Sequence, residues 1–350
     1  MIWFLILAAG LWLLGWRMGT PVALRRGMVM SLYLGVIVAL TVLPPGNPVQ
    51  QALGGSLGQW LLVGGLIAIV LGYRRVLAML KTRAGTRGAH EAEQEQPMVG
   101  QTFAPEELPR YARHIMLREI GGPGQKKLKT AKVLVVGAGG LGSPALMYLA
   151  AAGVGTIGVI DDDLVESTNL QRQIAHTEDR VGQPKVFSAK AAMEALNPYV
   201  KVRPYHRRLD DVIAAELVAE YDLVLDGTDN FDTRYLVNAA CVAARKPLIS
   251  AALTQWEGQI SLFDPARGAP CYRCVFPEAP APGLAPSCAE AGVAGPLPGV
   301  VGAMMAVEAV KVIAGAGEPL AGRMLIYDAL YGETRVIGLQ KRDGCETCGG

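Results

Sequence analysis

The stretch "AKVLVVGAGGLGSPALMYLAAAGVGTIGVIDDD", residues 131–163, restricts the fold of this chain more than any other part of it. Val133–Val136 is a continuous apolar run, as expected for a strand that is buried on both faces of a sheet. The next residues, "GAGGLG", match G-x-G-x-x-G and precede a helix predicted at Ser143–Ala152. A second predicted strand, Thr156–Ile160, ends at Asp161. This order predicts a Rossmann-like unit whose glycines admit a phosphate at a helix N-terminus.

The alternation of strands and helices continues beyond this unit and then changes. We predict an α/β fold, in which a Rossmann-like doubly wound sheet continues into a mixed or antiparallel C-terminal half. Further strands of the first half are predicted at 200–204, 222–226 and 247–251, and further helices at about 183–196, 211–220 and 233–244. The C-terminal half is predicted to contain strands at 258–263, 324–328 and 334–339 and one long helix at about 300–314.

The glycine turn alone does not decide the reaction. Four glycines, followed by an acid at the end of the second strand, are typical of dinucleotide binding, so an NAD-dependent oxidoreductase is one candidate. Other polar residues follow the predicted strands: Asn169 and Arg172 in "STNLQRQ", Lys185 in "VGQPK" and Asp229 in "GTDN". Since the loops after parallel strands gather at one edge of a sheet, we expect these side chains to lie near the glycine turn.

This charge pattern favours phosphate chemistry over hydride transfer. Arginine and lysine stabilise charge on a transferred or departing phosphate, and an aspartate can hold Mg²⁺. Cleavage of ATP between its α- and β-phosphates needs such groups, whereas hydride transfer does not. Taken singly, Arg172 could form a surface ion pair, Lys185 could be a solvated helix residue and Asp229 could cap a helix. Their joint occurrence is the argument for a site.

From about Pro109 to Gly350 the sequence resembles the MoeB/ThiF/HesA family of adenylyltransferases, relatives of the ubiquitin-activating enzymes. The resemblance rests on "RYARHIMLREIGGPGQKKLKTAKVLVVGAGGLG", "DDDLVESTNLQRQIAHTEDRVGQPK", "LVLDGTDN", "EGQISLFD", "PCYRC", "CAEAGVAGPLPGVVG" and "CETC", which occur in the family's order. It implies ATP-dependent adenylylation of the C-terminal Gly-Gly carboxylate of a ubiquitin-like sulfur carrier, of the thiamine or molybdopterin type, with release of pyrophosphate.

Other activities of related proteins stay open at this stage. An activator of another ubiquitin-like modifier is the nearest alternative. A tRNA-modifying dehydratase of the same superfamily is disfavoured by the paired cysteines and by the acidic composition of residues 91–350, which have a net charge of −6 and also argue against nucleic-acid binding. A non-catalytic membrane scaffold would not need the complete set of ATP-binding residues.

The resemblance also assigns roles to individual residues. It places Asp161 at the ribose, Arg172 and Lys185 at the phosphates, and Asp229 at Mg²⁺. Arg113, in "RYAR", matches an arginine that reaches the ATP site of the other subunit in this homodimeric family, although His114 stands where the family more often has glutamine. The predicted ATP-binding residues are Gly137, Gly139, Gly140, Gly142, Asp161, Thr168, Asn169, Leu170, Gln171, Arg172, Lys185, Thr228 and Asp229. The predicted catalytic residues are Arg113, Arg172, Lys185, Asp229 and Cys288.

Six cysteines are present, and four of them form two C-x-x-C pairs. Cys271 and Cys274 in "CYRC", with Cys345 and Cys348 in "CETC", offer the four thiolates that a structural Zn²⁺ takes, and the family pattern supports that interpretation. A redox dithiol is the alternative. Cys288 lies in a Pro/Ala/Gly-rich stretch and is a candidate nucleophile, because some family members carry the activated carrier on a cysteine here. Cys241 lies in an apolar run and is predicted to belong to the core.

The N-terminal part has a different composition. Met1–Trp16, Gly27–Leu43 and Leu53–Tyr73 carry no charged side chain over 16, 17 and 21 residues. A spanning helix needs about 20 apolar residues, so we predict three transmembrane helices within residues 1–80. A signal peptide and buried helices of a soluble domain are the alternatives.

The orientation of this membrane module follows from its basic residues. Residues 1–90 contain eight Lys/Arg and no acid, and these eight lie between the first two stretches or after the third. The positive-inside rule therefore predicts an outer N-terminus and a cytosolic catalytic domain on the inner (plasma) membrane. A flexible linker is predicted at 81–105, before an adenylyltransferase domain at 106–350.

Overall fold

A computed structural model of the chain describes residues 2–44, 47–48, 53–54, 56–66, 69, 72–73, 75, 103–281 and 291–349. The chain divides into two compact units, Met1–Met98 and Val99–Gly350. The predicted linker lies outside the described residues except at its last three positions. Its flexibility and the predicted domain boundaries therefore stay predictions.

Three helices account for most of the described residues of the N-terminal unit. Its helices are α1 (Ile2–Arg17), α2 (Val22–Val42) and α3 (Leu57–Leu66). The Tyr33 hydroxyl of α2 donates a hydrogen bond to the Trp60 carbonyl oxygen of α3 at 2.6 Å, and the Phe4 ring of α1 meets the Trp60 ring edge-on at 5.1 Å. These contacts join the three helices within the unit.

Two helices of the described residues are long and apolar enough to cross a membrane, Leu24–Val42 and Pro296–Ala314. The second is half buried inside the C-terminal unit, as expected for a core helix of a soluble domain. Helices α1 and α3 are apolar but shorter. Three transmembrane helices therefore stay a prediction.

The C-terminal unit is built on one eight-stranded sheet with the order β3-β2-β1-β4-β5-β6-β7-β8. Strands β1 to β5 pair in parallel, and β5 to β8 pair antiparallel. The prediction of a doubly wound first half that continues into an antiparallel half is confirmed. In chain order the strands are β1 (Lys132–Val136), β2 (Thr156–Ile160), β3 (Lys201–Tyr205), β4 (Leu223–Asp226), β5 (Leu248–Leu253), β6 (Glu257–Phe263), β7 (Arg323–Asp328) and β8 (Glu333–Gly338). The helices are α4 (Leu108–Ile115), α5 (Gly121–Thr130), α6 (Gly142–Ala152), α7 (Lys185–Leu196), α8 (Asp211–Ala219), α9 (Phe231–Ala244), α10 (Tyr272–Val275) and α11 (Pro296–Ala314).

Strand β1 shows why the apolar run is continuous. Val133 and Val135 belong to one buried cluster with residues of α6, α7 and α11. Leu134 and Val136 face the other side and belong to a cluster with residues of α8 and α9. Because side chains alternate along a strand and both faces are covered by helices, every position from 133 to 136 is buried.

The structure differs from the sequence prediction mainly at helix ends. Helices α4 and α5, before the first strand, were not predicted, because "GGPGQKKLKT" has two initial glycines, a proline and weak periodicity. Helix α11 begins at Pro296 rather than at 300, since its prolines occupy the first turn, where no N–H donor is needed. Helix α7 begins at Lys185 rather than at about 183, and Pro184 is its N-cap.

Candidate active site

A cleft of about 700 Å³ lies at the carboxyl ends of the parallel strands. The glycine turn, Asp161, Arg172, Lys185, Thr228 and Asp229 all line it. These residues come from five separate segments, and the topology brings them together at the edge where β1, β2 and β4 end. The cleft continues past Ala252, Leu253 and Gln259 at the start of the antiparallel half. The cleft therefore spans the boundary between the parallel and the antiparallel halves of the sheet.

The glycine turn is fixed by close approaches of backbone to backbone. Gly137 has φ of +93°, and its N–H donates to the Ile160 carbonyl oxygen at 2.9 Å. A β-carbon on Gly142 would lie 1.9 Å from the Gly137 carbonyl oxygen. At Gly139 the nearest atom to an added β-carbon would be the Gln173 Nε2, at 3.7 Å. The first and last glycines are therefore needed for the turn itself, whereas Gly139 leaves space beside the cleft.

Gly142→Ala is expected to destabilise the folded chain by at least ~2 kcal/mol, because the added methyl group and the Gly137 carbonyl oxygen cannot occupy the same space. For a unit of this size the thermal midpoint would fall by roughly 4–8 °C. Thermal unfolding of the purified full-length protein measures this, with Gly139→Ala as the matched variant that should unfold like the wild type. Equal losses in both variants would contradict the geometric argument.

The Ala138 peptide, inside the glycine turn, is held from both sides. Its N–H donates to Asp161 Oδ2 at 2.7 Å. Its carbonyl oxygen lies 2.9 Å from His176 Nε2, so this nitrogen must carry the proton and His176 Nδ1 must accept from the Ser188 hydroxyl at 2.9 Å. Burial lowers the pKa of His176, which agrees with a neutral imidazole in this tautomer. His176 is a supporting residue that the sequence reasoning missed.

Asp161 supports the turn and also lines the cleft. In addition to Ala138, its carboxylate accepts the Asp163 N–H at 2.8 Å. Burial raises the pKa of this carboxyl group, although the two backbone N–H donors and nearby Lys185 act in the opposite direction. The predicted contact of Asp161 with a ribose stays a prediction.

The two predicted phosphate-binding cations are held by neighbouring acceptors. The Lys185 side chain is 6% exposed, and its Nζ lies 2.6 Å from the carboxylate of Asp163, which is 64% exposed. The Arg172 guanidinium donates to Asn169 Oδ1 at 2.8 Å. Because the Asp163 carboxylate extends into solvent while Lys185 is buried, a phosphate can replace or join this partner without movement of the lysine.

A buried polar network supports the loop that carries Thr228 and Asp229. The Thr228 N–H and hydroxyl both donate to Asp226 Oδ1, at 3.0 and 2.6 Å. Asp226 is fully buried, accepts from the Ser250 hydroxyl at 3.0 Å and lies 3.8 Å from an Arg234 guanidinium nitrogen. Arg234 also donates to the carbonyl oxygens of Thr228 and of Ala251 on β5. The sequence reasoning missed this network. The arginine at position 234, directly before the apolar stretch "YLVNAACVAA", was a signal for it.

The four paired cysteines form one cluster. Cys271 Sγ lies 3.7 Å from the Sγ atoms of Cys274 and of Cys345, and Cys274 Sγ lies 3.5 Å from Cys348 Sγ. Four sulfurs at about 2.3 Å from one Zn²⁺ would be separated by about 3.8 Å, whereas a disulfide bond is about 2.05 Å long. Burial acts to raise the pKa of Cys345, but hydrogen bonds from the Cys348 and Thr347 backbone outweigh it and lower the pKa to about 7. The donor set and its spacing fit a tetrahedral Zn²⁺ site.

The sequence model of the ThiF family matches residues 111–347, about two thirds of the chain. The chain belongs to the ThiF family.

Named relatives agree with this family assignment. A sulfur carrier protein adenylyltransferase of Thermus thermophilus is 51% identical over 248 residues, which are 70% of this chain and 92% of the relative. The SAMP-activating enzyme E1 of Haloferax volcanii is 49% identical over 243 residues, 69% of this chain and 89% of the relative. Adenylyltransferase and sulfurtransferase MOCS3-1 of Zea mays is 48% identical over 261 residues, and the match spans only 56% of that longer relative.

A solved structure shows the same fold. The crystal structure of E. coli MccB with ATP has a TM-score of 0.60 and 26% sequence identity, and the match covers 71% of this chain and 76% of MccB. The Rossmann-like sheet described here is thus a known ThiF-type architecture.

Not every predicted site residue of this ThiF-family chain lines the cleft. Arg113 lies exposed on α4, away from the cleft. Asn169 does not line the cleft but accepts a hydrogen bond from Arg172, which does. Gln171 lies next to Gly295, where its Oε1 would be 2.5 Å from an added β-carbon. Thr168, Leu170 and Gly142 also do not line it. Cys288 lies outside the described residues, whereas Cys241 is buried in the core as predicted.

Proposed function

We propose that this chain is an adenylyltransferase that uses ATP to activate the C-terminal Gly-Gly carboxylate of a ubiquitin-like sulfur carrier. The observation that carries this proposal is the meeting of the glycine turn, Arg172, Lys185 and Asp229 in one cleft. Relatives named for adenylyltransferase activity on sulfur carriers support it, since one of them is 51% identical. A carrier of the thiamine or molybdopterin type fits this assignment.

The reaction joins two anionic groups. A carboxylate oxygen of the carrier attacks the α-phosphorus of ATP, and the bond between that phosphorus and the bridging oxygen of the β-phosphate breaks. The electron pair leaves with pyrophosphate, and no proton has to be removed from the nucleophile. Arg172 and Lys185 act by offsetting the repulsion between carboxylate and triphosphate and by stabilising the departing charge.

Asp229 is the residue that would hold Mg²⁺. Its side chain is exposed in the cleft, and no hydrogen bond or ion pair occupies its carboxylate among the described residues. Carboxylate oxygens are ligands that Mg²⁺ prefers, and a bound ion supplies positive charge to the phosphates. The Asp226 network keeps the preceding Thr228 in place, so the carboxylate is presented from a fixed loop.

We assign a structural Zn²⁺ to the cluster of Cys271, Cys274, Cys345 and Cys348. Its role is to fasten the segment after β8 to α10, because Cys345 and Cys348 follow β8 whereas Cys271 is the N-cap of α10 and Cys274 lies within that helix. The Arg273–Glu346 ion pair at 2.8 Å joins the same two segments beside the cluster. Cys288 remains a candidate carrier-accepting nucleophile.

The exposed position of Arg113 fits a homodimer in which this arginine enters the cleft of the second subunit. Arg113 has no hydrogen bond or ion pair among the described residues, so its guanidinium is available for an intermolecular contact. This part of the proposal follows the family pattern.

Two other functions are distinguished by direct assays. An NAD-dependent oxidoreductase would change NADH absorbance with a substrate and would not exchange labelled pyrophosphate into ATP. An activator of another ubiquitin-like modifier would show exchange with a different Gly-Gly protein. The deciding experiment incubates the purified full-length chain with candidate carriers, ATP and labelled pyrophosphate, and compares each carrier with a form that lacks its last two glycines. Exchange that needs the intact tail supports the proposal, and no exchange with any carrier contradicts it.

We propose that residues 1–80 anchor the enzyme in the inner membrane through three helices, with the N-terminus outside and residues 106–350 in the cytosol. Support comes from exposed apolar side chains along the N-terminal unit, such as Leu5, Trp16 and Leu62, and from the lack of acidic residues in residues 1–90. The linker at 81–105 would connect the two units.

Protease treatment tests this topology. Added outside intact cells, protease should leave the C-terminal unit intact, and added to inverted membrane vesicles it should digest that unit. The opposite pattern would reverse the orientation. Release of the full-length chain by alkaline carbonate washing would rule out membrane insertion.

A further inference from the structure

One polar side chain at the cleft has no established task. Gln173 is 5% exposed, yet it lines the cleft next to Arg172 and the glycine turn. Its Oε1 is buried without a hydrogen-bond partner, and no side-chain hydrogen bond of Gln173 is present among the described residues. The unpaired Oε1 is an acceptor and costs stability, whereas the Nε2 donors of the same side chain are open to a ligand in the cleft.

Backbone hydrogen bonds hold the segment that carries the Gln173 side chain. The Gln173 N–H donates to the Asn169 carbonyl oxygen at 3.1 Å, and the Gln173 carbonyl oxygen accepts the His176 N–H at 3.1 Å. His176 in turn contacts Ala138 of the glycine turn. The segment that carries Gln173 is therefore tied to the turn that it faces.

The free amide nitrogen points to the place where phosphate is expected. Gln173 Nε2 lies 3.7 Å from the position of a β-carbon on Gly139, so no side chain stands between the amide and the turn. Arg172 already donates to Asn169, and Lys185 already pairs with Asp163. Gln173 differs from both, because its two N–H donors are unused and carry no charge that needs a counterion.

We propose that Gln173 is a phosphate-binding residue of this cleft, whose Nε2 donates a hydrogen bond to a phosphate oxygen of the nucleoside triphosphate beside Gly139. The inference rests on the proposed use of ATP and adds a neutral donor to the two cations. A neutral donor fixes the position of a phosphate oxygen. It adds no positive charge, which would hold the departing pyrophosphate more tightly.

The test compares ATP binding by full-length wild type, Gln173→Met and Gln173→Glu, measured by calorimetry in the presence of Mg²⁺. Methionine keeps the length of the side chain and removes the donor, so ATP affinity should fall about tenfold. Glutamate places a negative charge beside the phosphates, so affinity should fall at least ~100-fold. Gln183→Met is the matched control, since Gln183 is exposed and does not line the cleft, and it should bind ATP like the wild type.

Thermal unfolding separates binding from a structural role. Gln173→Met should unfold at the same temperature as the wild type or higher, because it removes an unpaired buried oxygen. Wild-type ATP affinity in Gln173→Met would overturn the assignment, as would a lowered unfolding temperature with a proportional loss of affinity. If the wild type binds ATP but shows no carrier-dependent exchange, the proposed function fails, while the binding comparison still decides the role of Gln173.

Discussion

Arg172→Ala and Asp229→Ala are each expected to lower carrier-dependent ATP–pyrophosphate exchange by at least ~1,000-fold. Positioned cations and metal-holding acids act on charge that develops in a water-poor cleft, where single groups contribute factors of about 100 to 100,000. Arg172 and Asp229 both line the cleft, so the loss of either would leave a bound triphosphate incompletely neutralised.

Two neighbouring residues provide controls for this experiment. Asp232→Ala removes an exposed carboxylate in the first turn of α9 that does not line the cleft, and Arg267→Ala removes a largely exposed arginine next to β6. Both should exchange pyrophosphate at the wild-type rate. The mutants at 172 and 229 should keep the wild-type unfolding temperature, because neither side chain is buried. Full exchange in either of them would remove that residue from the proposed mechanism.

Loss of one cluster cysteine is the second large effect that we expect. The purified chain should contain one zinc per molecule by elemental analysis, and Cys274→Ser should contain none. Because the metal stabilises only the folded state, its loss should lower stability by at least ~3 kcal/mol, which is about 6–12 °C in thermal midpoint for a unit of this size. Treatment of the wild type with a strong chelator should give the same shift.

Cys241→Ala is the matched control, since Cys241 is buried in the core and does not belong to the cluster. It should retain one zinc per molecule, whatever its effect on core packing. A wild-type protein that contains no zinc, or a Cys274→Ser variant that retains a full equivalent, would contradict the assignment. If thiol labelling then found a disulfide between Cys271 and Cys274, the redox alternative would be favoured.

The sequence predicted the parts of this fold that depend on local pattern. The run Val133–Val136 and the glycine turn define a buried strand and a tight turn by their own chemistry, and the structure has both at these positions. The change from parallel to antiparallel pairing was also readable, because the regular alternation of strands and helices ends after β5. The cysteine cluster was readable only as two pairs, since nothing in the sequence specifies that residues 70 apart will meet.

The supporting groups of the site could not be predicted in this way. Asp226 and Ser250 lie on adjacent strands, and Arg234 reaches both from a helix, so their contact depends on sheet order and on helix position. His176 could equally have been a surface residue until the Ala138 carbonyl oxygen was found beside it. Such groups come together only in the folded chain. A single residue of this kind leaves no periodic pattern in the sequence from which its contacts could be predicted.

Strand β5 is the only strand of the sheet that pairs in parallel on one side and antiparallel on the other, with β4 and β6 respectively. All the proposed nucleotide contacts precede it in the chain, from Gly137 to Asp229, while all three antiparallel pairings involve residues after it. The proposed nucleotide contacts therefore all lie on the parallel half of the sheet. Substitutions confined to β7 and β8 would leave the lining of the cleft in place, because no residue of these two strands belongs to it.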